Sequence, residues 1–430
     1  MIKKIKQFFL TDLLKITSWT GIATAIKIAS QFVIGKVLAI FIGPAGIAIM
    51  GQLTNVVNVF QAIASGGITV GVTKYVAEFS EDEKEQEKII ANGFKIIFYC
   101  SLVCTIVLIL SYKYIGHLIF GTNAYDYIIL IFGFLLILLS FNNIFIAIIN
   151  GLREFKKYVI INIGSSIINL ILTIVLVTYW GVAGALLTFV ISPALIFIIS
   201  FFSVYKKAWL NINFISMKFD FAIIKKFSNF SLMAINNAIV ASLAQIAIRS
   251  LITNNISLNM AGIWDGMNRL SAAYLLLLTT SIQVYYLPTL SAIQQPRLLW
   301  KEIMKTEKII LPLVFLMFIF IFLFRSTIID ILFTKEFYAM KELFILQLTG
   351  DFLKVAAWII SYTMYAKAMT RQLIITDNIF TLTFICFIYL FIDKLGLKAV
   401  YFGYILNNLI YLTVIYFFLK NYILKQQKSG

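Results

Sequence analysis

Residues 347–368 read QLTGDFLKVAAWIISYTMYAKA, an apolar stretch that carries a carboxylate, Asp351, and an ammonium, Lys354, near its middle. An ionised group in hydrocarbon is costly unless it is paired or faces water, so such residues mark a functional interior. With 100° between helical neighbours, Gln347, Asp351, Lys354, Trp358, Ser361, Tyr362 and Tyr365 fall within an arc of roughly 100°, one helix face. Charge, amide, hydroxyl and aromatic groups are thereby gathered on one side. The plainer alternative is an i,i+3 Asp–Lys pair that neutralises itself while the aromatic rings pack as core or interfacial anchors. That alternative explains neither Gln347 nor the long aromatic continuation.

Other stretches repeat the theme. Thr20, Thr24, Lys27 and Gln31 follow one another at spacings of four, three and four. Lys27 has no acidic residue within a turn and sits about 20 Å from either end of its span, too far to snorkel out, whereas Lys36 can reach the GPAG turn. Lys27 therefore reads as lining a cavity. Further on, Ser242, Gln245 and Arg249 align, and Asp265 and Arg269 are i,i+4 neighbours that either pair with each other or face the same interior. Lys27, Lys36, Arg249, Arg269 and Lys354 stand against Asp265 and Asp351, which makes that interior net cationic. Gln52, Asn55, Asn58, Gln61 and Ser65 add a broad polar arc, suited to a hydroxyl-rich cargo or to polar contacts between helices.

The elements that must position these residues are membrane helices. The 430 residues are 61% hydrophobic and 13% charged, against about 25% charged in soluble domains, and mean hydropathy is +0.94. Runs such as KIIFYCSLVCTIVLIL and IILPLVFLMFIFIFLF suit the roughly 20 residues that a helix needs to cross a bilayer, and exceed a barrel strand. About twelve spans are expected, near residues 16–42, 46–73, 89–111, 126–149, 158–178, 182–204, 227–252, 261–287, 307–325, 342–366, 371–392 and 397–419. Of the 36 Lys and Arg residues, 24 fall in the termini and connections on one side, 6 on the other and 6 within spans. This asymmetry predicts a multi-pass protein of the bacterial inner membrane with both termini cytoplasmic. The net charge of +17 then serves topology and anionic-lipid contact, with no nucleic-acid partner.

The basic segment 205–226 reads as a linker, giving an N-terminal six-helix bundle over 1–210, a cytoplasmic linker over 211–226 and a C-terminal six-helix bundle over 227–430. Weak self-similarity supports the halves: AGI at 45–47 recurs at 261–263, Lys157 with II at 160–161 matches Arg371 with II at 374–375, and GVAG at 181–184 matches GLKA at 396–399. Parallel repeats of six spans are a transporter architecture with the substrate site between halves. The N-terminal MIKKIKQFFLTDLLK lacks the apolar core and small-residue cleavage site of a signal peptide and is expected to be retained. Cys100, Cys104 and Cys386 lie in apolar runs and read as small buried core residues. His117, the single histidine, is expected in a loop with no metal-ligand pattern beside it. GLREFKKY and GPAGIAIMG lack the glycine-lysine-hydroxyl spacing of a nucleotide loop, so no cofactor and no ATP motor are expected.

FIGPAGI (41–47), GVTKYVAEFS (71–80), AGIWDGMNRLSAAYLLLLTTSIQVYYLPTLS (261–291) and LQLTGDFLKVAAWIISYTMYAKA (346–368) resemble the Wzx-type polysaccharide repeat-unit flippases. That family of lipid III flippases and O-antigen translocases belongs to the multidrug/oligosaccharidyl-lipid/polysaccharide (MOP) exporter superfamily. The resemblance covers essentially the whole chain. It implies an all-α integral membrane fold, two pseudo-symmetric six-helix bundles in a V-shaped transporter like the MATE proteins, a cationic central cavity and alternating access. Lys27, Lys74, Arg249, Asp351, Lys354 and Lys367 match the family pattern, while Asp265 and Arg269 depart from it. The implied cargo is an undecaprenyl-diphosphate-linked oligosaccharide, an O-antigen or enterobacterial common antigen repeat unit, moved from cytoplasmic to periplasmic leaflet without catalysis. On that reading Lys27, Arg249 and Lys354 bind diphosphate or acidic sugar, Asp351 orients Lys354, and Trp358 and Tyr365 stack on sugars. Coupling to membrane potential or protons, contact with membrane lipids, and a polysaccharide polymerase and chain-length regulator as partners complete the expectation. A MATE-like drug or metabolite exporter would need an acidic cavity, and a membrane polymerase or ligase of the same glycan pathway a large periplasmic loop.

Overall fold

A computed structural model of the chain describes residues 2–207, 209, 219–281, 286–293, 295–367 and 369–429, and its regular elements are all helical. Two compact units emerge, Met1–Ile42 with Ile49–Ser242, and Gly43–Ala48 with Leu243–Gly430. The first half of the expected linker, 211–218, lies outside the described residues, and the stretch from Phe221 already belongs to a helix.

The first unit contains α1 (Ile2–Phe41), most of α2 (Gly43–Ala64), α3 (Thr69–Glu78), α4 (Glu83–Phe120), α5 (Asp126–Gly151), α6 (Phe155–Val204) and the first part of α7 (Phe221–Asn255). Local chemistry sets the ends. Pro44 stands in the first turn of α2, where its missing N–H costs nothing. Asp82 caps α4 by accepting from the Glu85 N–H at 3.1 Å, and α4 stops at Gly121 in left-handed conformation. Between α2 and α3, Gly66 and Gly67 have φ of +60° and +62°, a sharp break that side chains disfavour. α3, α4 and α6 all pack on α5, and α1 packs on α6. Ile90, Phe94, Ile144, Phe145 and Ile148 form the inner seam.

Ten helices are long and apolar enough to cross a membrane among the described residues, and the protein is a multi-pass membrane protein. One of the ten, α6, has 50 residues. Drawn straight, it would measure about 75 Å against a hydrocarbon core of roughly 30 Å. Instead it reverses at Gly181, with φ 54° and ψ −127°. Its two ends meet: Glu154, just before α6, pairs with Lys157 at 2.9 Å and with Lys207, just after it. Burial alone would raise the Glu154 carboxyl, but the two ammonium groups outweigh it and hold it below its ordinary value. α6 therefore supplies two of the expected spans, at 158–178 and 182–204.

The second unit contains α8 (Leu258–Ser281), α9 (Leu287–Ala292), α10 (Pro296–Leu323), α11 (Arg325–Leu332), α12 (Met340–Ala366), α13 (Thr370–Leu395) and α14 (Lys398–Ser429), with the end of α7. The charged stretch that opens the sequence reading is α12, the hub of this unit, touched by α8 to α11, α13 and α14. Splitting α6 and adding α8, whose apolar run is interrupted by Asp265 and Arg269, brings the crossings to about twelve. The internal repeat is visible in the backbone. Gly396, between α13 and α14, has φ 54° and ψ −139°, nearly the values at Gly181, and α2–α3 and α8–α9 are each a long helix followed by a short one.

Two expectations need correction. His117 is not in a loop: α4 continues to Phe120, and the His117 ring nitrogen Nδ1 lies 3.1 Å from Asn123 Oδ1. Of the cysteines only Cys104 is buried, Cys100 is half-buried and Cys386 is exposed among outward apolar side chains that suit lipid.

Candidate functional site

Asp351 is fully buried at the centre of the second unit. Its Oδ2 accepts from Ser271 Oγ at 2.7 Å, from Gln347 Nε2 at 3.0 Å and from the Tyr274 hydroxyl, and its Oδ1 accepts from Tyr404 Oη at 2.8 Å. Four donors come close to filling the lone-pair sites of a carboxylate. They come from α8, α12 and α14, so one carboxylate fastens three helices through charge-assisted bonds.

Lys354, one turn further along α12, is half-buried and held differently. Its ammonium stands 5.0 Å from the Trp358 ring centroid and 5.6 Å from that of Tyr404, within cation–π range. Among the described residues no ion pair joins it to Asp351. The expectation that Asp351 orients Lys354 directly is therefore corrected. Tyr404 links them instead, with its hydroxyl on the carboxylate and its ring face toward the ammonium. The self-neutralising pair also fails, because the carboxylate is already satisfied by neutral donors.

Lys354, Trp358, Gln347, Ser271, Asn268 and Tyr401 line a cavity of about 460 Å³ within this unit. Two polar atoms at its wall, Asn268 Nδ2 and Tyr401 Oη, are buried without a partner among the described residues. An ammonium plus two uncommitted donors is a site for an anion or a strong acceptor.

Arg249 and Asp265 sit nearby, 2% and 6% exposed. The guanidinium meets the carboxylate with both arms, Nε to Oδ2 and Nη2 to Oδ1, each at 2.7 Å, and lies 5.6 Å from the Trp264 ring centroid. This corrects the i,i+4 pairing of Asp265 with Arg269, which is exposed. The planar fork of Arg249 satisfies both carboxylate oxygens at once, which a neighbour one turn away on the same helix rarely matches. Committed in this way, Arg249 is a fixed internal charge and not an open binding group.

The remaining expected site residues are scattered. Trp358 lines the cavity, whereas Tyr365 is exposed and rests against Tyr362 with centroids 5.6 Å apart. Lys367 donates to the Ile293 carbonyl at 2.6 Å, tying the end of α12 to the segment after α9. Lys74 is exposed on α3, 3.9 Å from Glu78 and 4.7 Å from the Tyr75 ring centroid. In the first unit, Lys27 lines a separate cavity of about 290 Å³ with Ser30, Gln31, Gln61, Asn169 and Ser192. Sequence reasoning missed Asn268, Ser271, Tyr274, Tyr401 and Tyr404. A signal existed, since Asn268, Ser271, Leu275 and Thr279 recur at spacings of three and four, the mark of one helix face.

Comparison with known proteins places this geometry. Residues 13–294 match the polysaccharide biosynthesis protein family. The lipid III flippases of Escherichia coli (strain K12) and Shigella flexneri are each 30% identical over 366 residues, 85% of this chain and 88% of theirs. Among solved structures, an inward-facing multidrug resistance MATE family transporter of the MOP superfamily superposes with a TM-score of 0.78 at 16% identity, covering 94% of this chain and 96% of that one. A MOP superfamily transporter from Pyrococcus furiosus, described as having a binding pocket of reverse polarity, gives 0.66 at 15% identity with 95% of each chain covered. At such identities the structural likeness speaks for the fold. With more than half of its length matched and two relatives at 30% identity, the chain belongs to the polysaccharide biosynthesis protein family, on a fold shared with the MATE transporters of the MOP superfamily.

Proposed function

We propose that this protein is a flippase that carries a polyprenyl-diphosphate-linked oligosaccharide, such as an O-antigen or common-antigen repeat unit, from the cytoplasmic to the periplasmic leaflet of the bacterial inner membrane. The observation that carries the reading is the donor-rich second-unit cavity: a Lys354 ammonium beside the donors of Asn268 and Tyr401, none of them joined to a carboxylate or other acceptor among the described residues. A diphosphate supplies the charge and the acceptors that this wall lacks. A cationic drug would meet repulsion from Lys354 and find Asp351 already consumed by four donors, which disfavours the exporter reading. The lipid III flippases support a lipid-linked oligosaccharide as cargo.

In this mechanism Lys354 binds phosphate, Trp358 presents a ring face to ammonium or sugar, and the bond network of Asp351 keeps the cavity wall in register. Lys27 offers a second cation in the first unit, and Arg249 with Asp265 contributes rigidity. Both termini are cytoplasmic by the charge partition, where basic connections meet anionic lipids, and a polymerase and chain-length regulator would consume the product. Outward movement of negative charge is assisted by an inside-negative potential, about 2.3 kcal/mol per unit charge per 100 mV. A proton gradient is the second candidate drive.

The test uses purified protein in liposomes loaded with a fluorescent polyprenyl-diphosphate sugar. Wild-type protein is expected to expose the label, faster under an inside-negative potential, and Lys354→Ala to remove the activity. Absence of lipid movement by folded wild-type protein would overturn the reading, and indifference to potential and pH gradient would make it a facilitator.

A further inference from the structure

A second cavity of the first unit, about 610 Å³, is of another kind. α2 presents Asn58, Gln61 and Ser65 at spacings of three and four, and α5 presents Asn143 and Asn150 two turns apart, so two polar helix faces look into one space. α7 closes it with Ala234, Ala238 and Ala241, small side chains that leave the volume open. Among the described residues, no Asp, Glu, Lys, Arg or aromatic side chain lines this cavity.

What makes it a site is that its amides are uncommitted. Two of the hydroxyls around it are used: Ser65 donates to the Ala62 carbonyl and Thr73 to the Ala147 carbonyl, each at 3.0 Å. The side-chain amides of Asn58, Gln61, Asn143 and Asn150 have no partner among the described residues, although Asn162, Asn255 and Asn408 donate to the carbonyl four residues before them. Four unpaired amides on membrane-spanning helices are expensive unless water or a ligand meets them. Helix glue, the ordinary reason for amides in a bundle, requires a bond across the interface that these do not make. Each amide offers two donors and a two-lone-pair acceptor. A row of such groups with no charge matches a ligand whose groups both donate and accept, and leaves an ionic ligand without a counter-charge. The volume is within the range of small-molecule sites. An acyl chain would bury all four amides unsatisfied.

We infer that this cavity binds the uncharged sugar part of the cargo, hydroxyl- and N-acyl-bearing sugar rings held by the amides of Gln61, Asn143 and Asn150. The inference rests on the flippase reading for the identity of the cargo and deepens it by giving sugar and phosphate different places. Gln61 also lines the Lys27 cavity, so the neutral chamber has a cation-bearing neighbour inside one unit.

Two measurements on the full-length protein test it. In liposomes, Asn143→Ala, Asn150→Ala and Gln61→Ala should each raise the KM for a fluorescent polyprenyl-diphosphate N-acetylhexosamine about three- to tenfold, the loss of a hydrogen bond or two. Asn143→Ala and Asn150→Ala should leave movement of bare polyprenyl diphosphate unchanged, whereas Lys354→Ala should impair both lipids. In nanodiscs, saturation-transfer NMR with free N-acetylglucosamine should give a signal that the double variant Asn143→Ala/Asn150→Ala loses at unchanged thermal midpoint. Unchanged KM and an unchanged NMR signal in the variants would overturn the sugar site while leaving the flippase standing. Wild-type protein that moves neither lipid but binds the sugar through these amides would overturn the flippase and leave the site. Absence of both would overturn both.

Discussion

The two units solve the problem of polar groups in a membrane in opposite ways. In the second, two buried carboxylates bond between helices: Asp265 on α8 to Arg249 on α7, and Asp351 on α12 to Ser271, Tyr274 and Tyr404 on α8 and α14. In the first, buried hydroxyls mostly turn back on their own helix, as Ser140 does to Leu136, Ser166 to Asn162 and Thr173 to Asn169. Interhelical links such as Ser200 to Asn142, at 2.6 Å, join neutral groups. The difference teaches that a cationic interior need not be made of free cations. Of the basic residues within the spans, Lys354 and Lys27 each line a cavity whose described lining holds no carboxylate, while Arg249 is spent on structure.

The sharpest way to break this contrast is to strand a charge. Arg249→Ala leaves Asp265 buried without its two-armed partner and should cost about 3–5 kcal/mol, read as loss of folded protein in detergent. The double variant Arg249→Leu/Asp265→Leu should recover most of it, and a single variant as stable as wild type would show the pair to be open to water. Next, Lys354→Ala removes the cation that binds and should lower lipid movement about a hundredfold, roughly 2.7 kcal/mol, with the thermal midpoint nearly unchanged. Lys27→Ala should cost less, and equal losses would make the two cavities equivalent. Smaller still, Gly181→Ala and Gly396→Ala should each destabilise by about 1–3 kcal/mol, because both force a side chain into a backbone region reserved for glycine. Nothing lies within 4 Å of either added Cβ, so the two costs should match, and a large disparity would weaken the repeat. The smallest effect is at the ends of α6. The folded-state pKa of Glu154 is lowered, so its contribution is present above the unfolded value and fades as pH falls through the folded one. Glu154→Gln should lose about 0.5–1 kcal/mol at neutral pH and flatten the acid limb of a melting-temperature profile.

The fold was largely legible in the sequence because lipid imposes a blunt requirement: long apolar runs, with positive charge sorted between their connections. The face of α12 from Gln347 to Trp358 was legible for the same reason, since a mid-span charge can hardly be accidental. The partners were not. Pairing of Asp265 with Arg269 was one of two readings because spacings of three and four are the contacts that one helix declares. The true partner, Arg249, is reached through the α7–α8 turn, which no local pattern announces. Tyr404 was hidden more thoroughly, as tyrosines are common in spans and only the arrival of α14 beside α12 gives this one two tasks.

The reversal at Gly181 has a consequence in parity. If α6 made a single crossing, every connection after residue 204 would change sides, and ten upstream basic residues with Arg325, Lys335, Lys341, Lys394 and Lys398 would face fifteen others. A partition of 24 to 6 would become fifteen to fifteen, and the rule that sorts positive charge would have nothing to read. One glycine therefore decides whether the charge partition along the rest of the chain carries any signal at all.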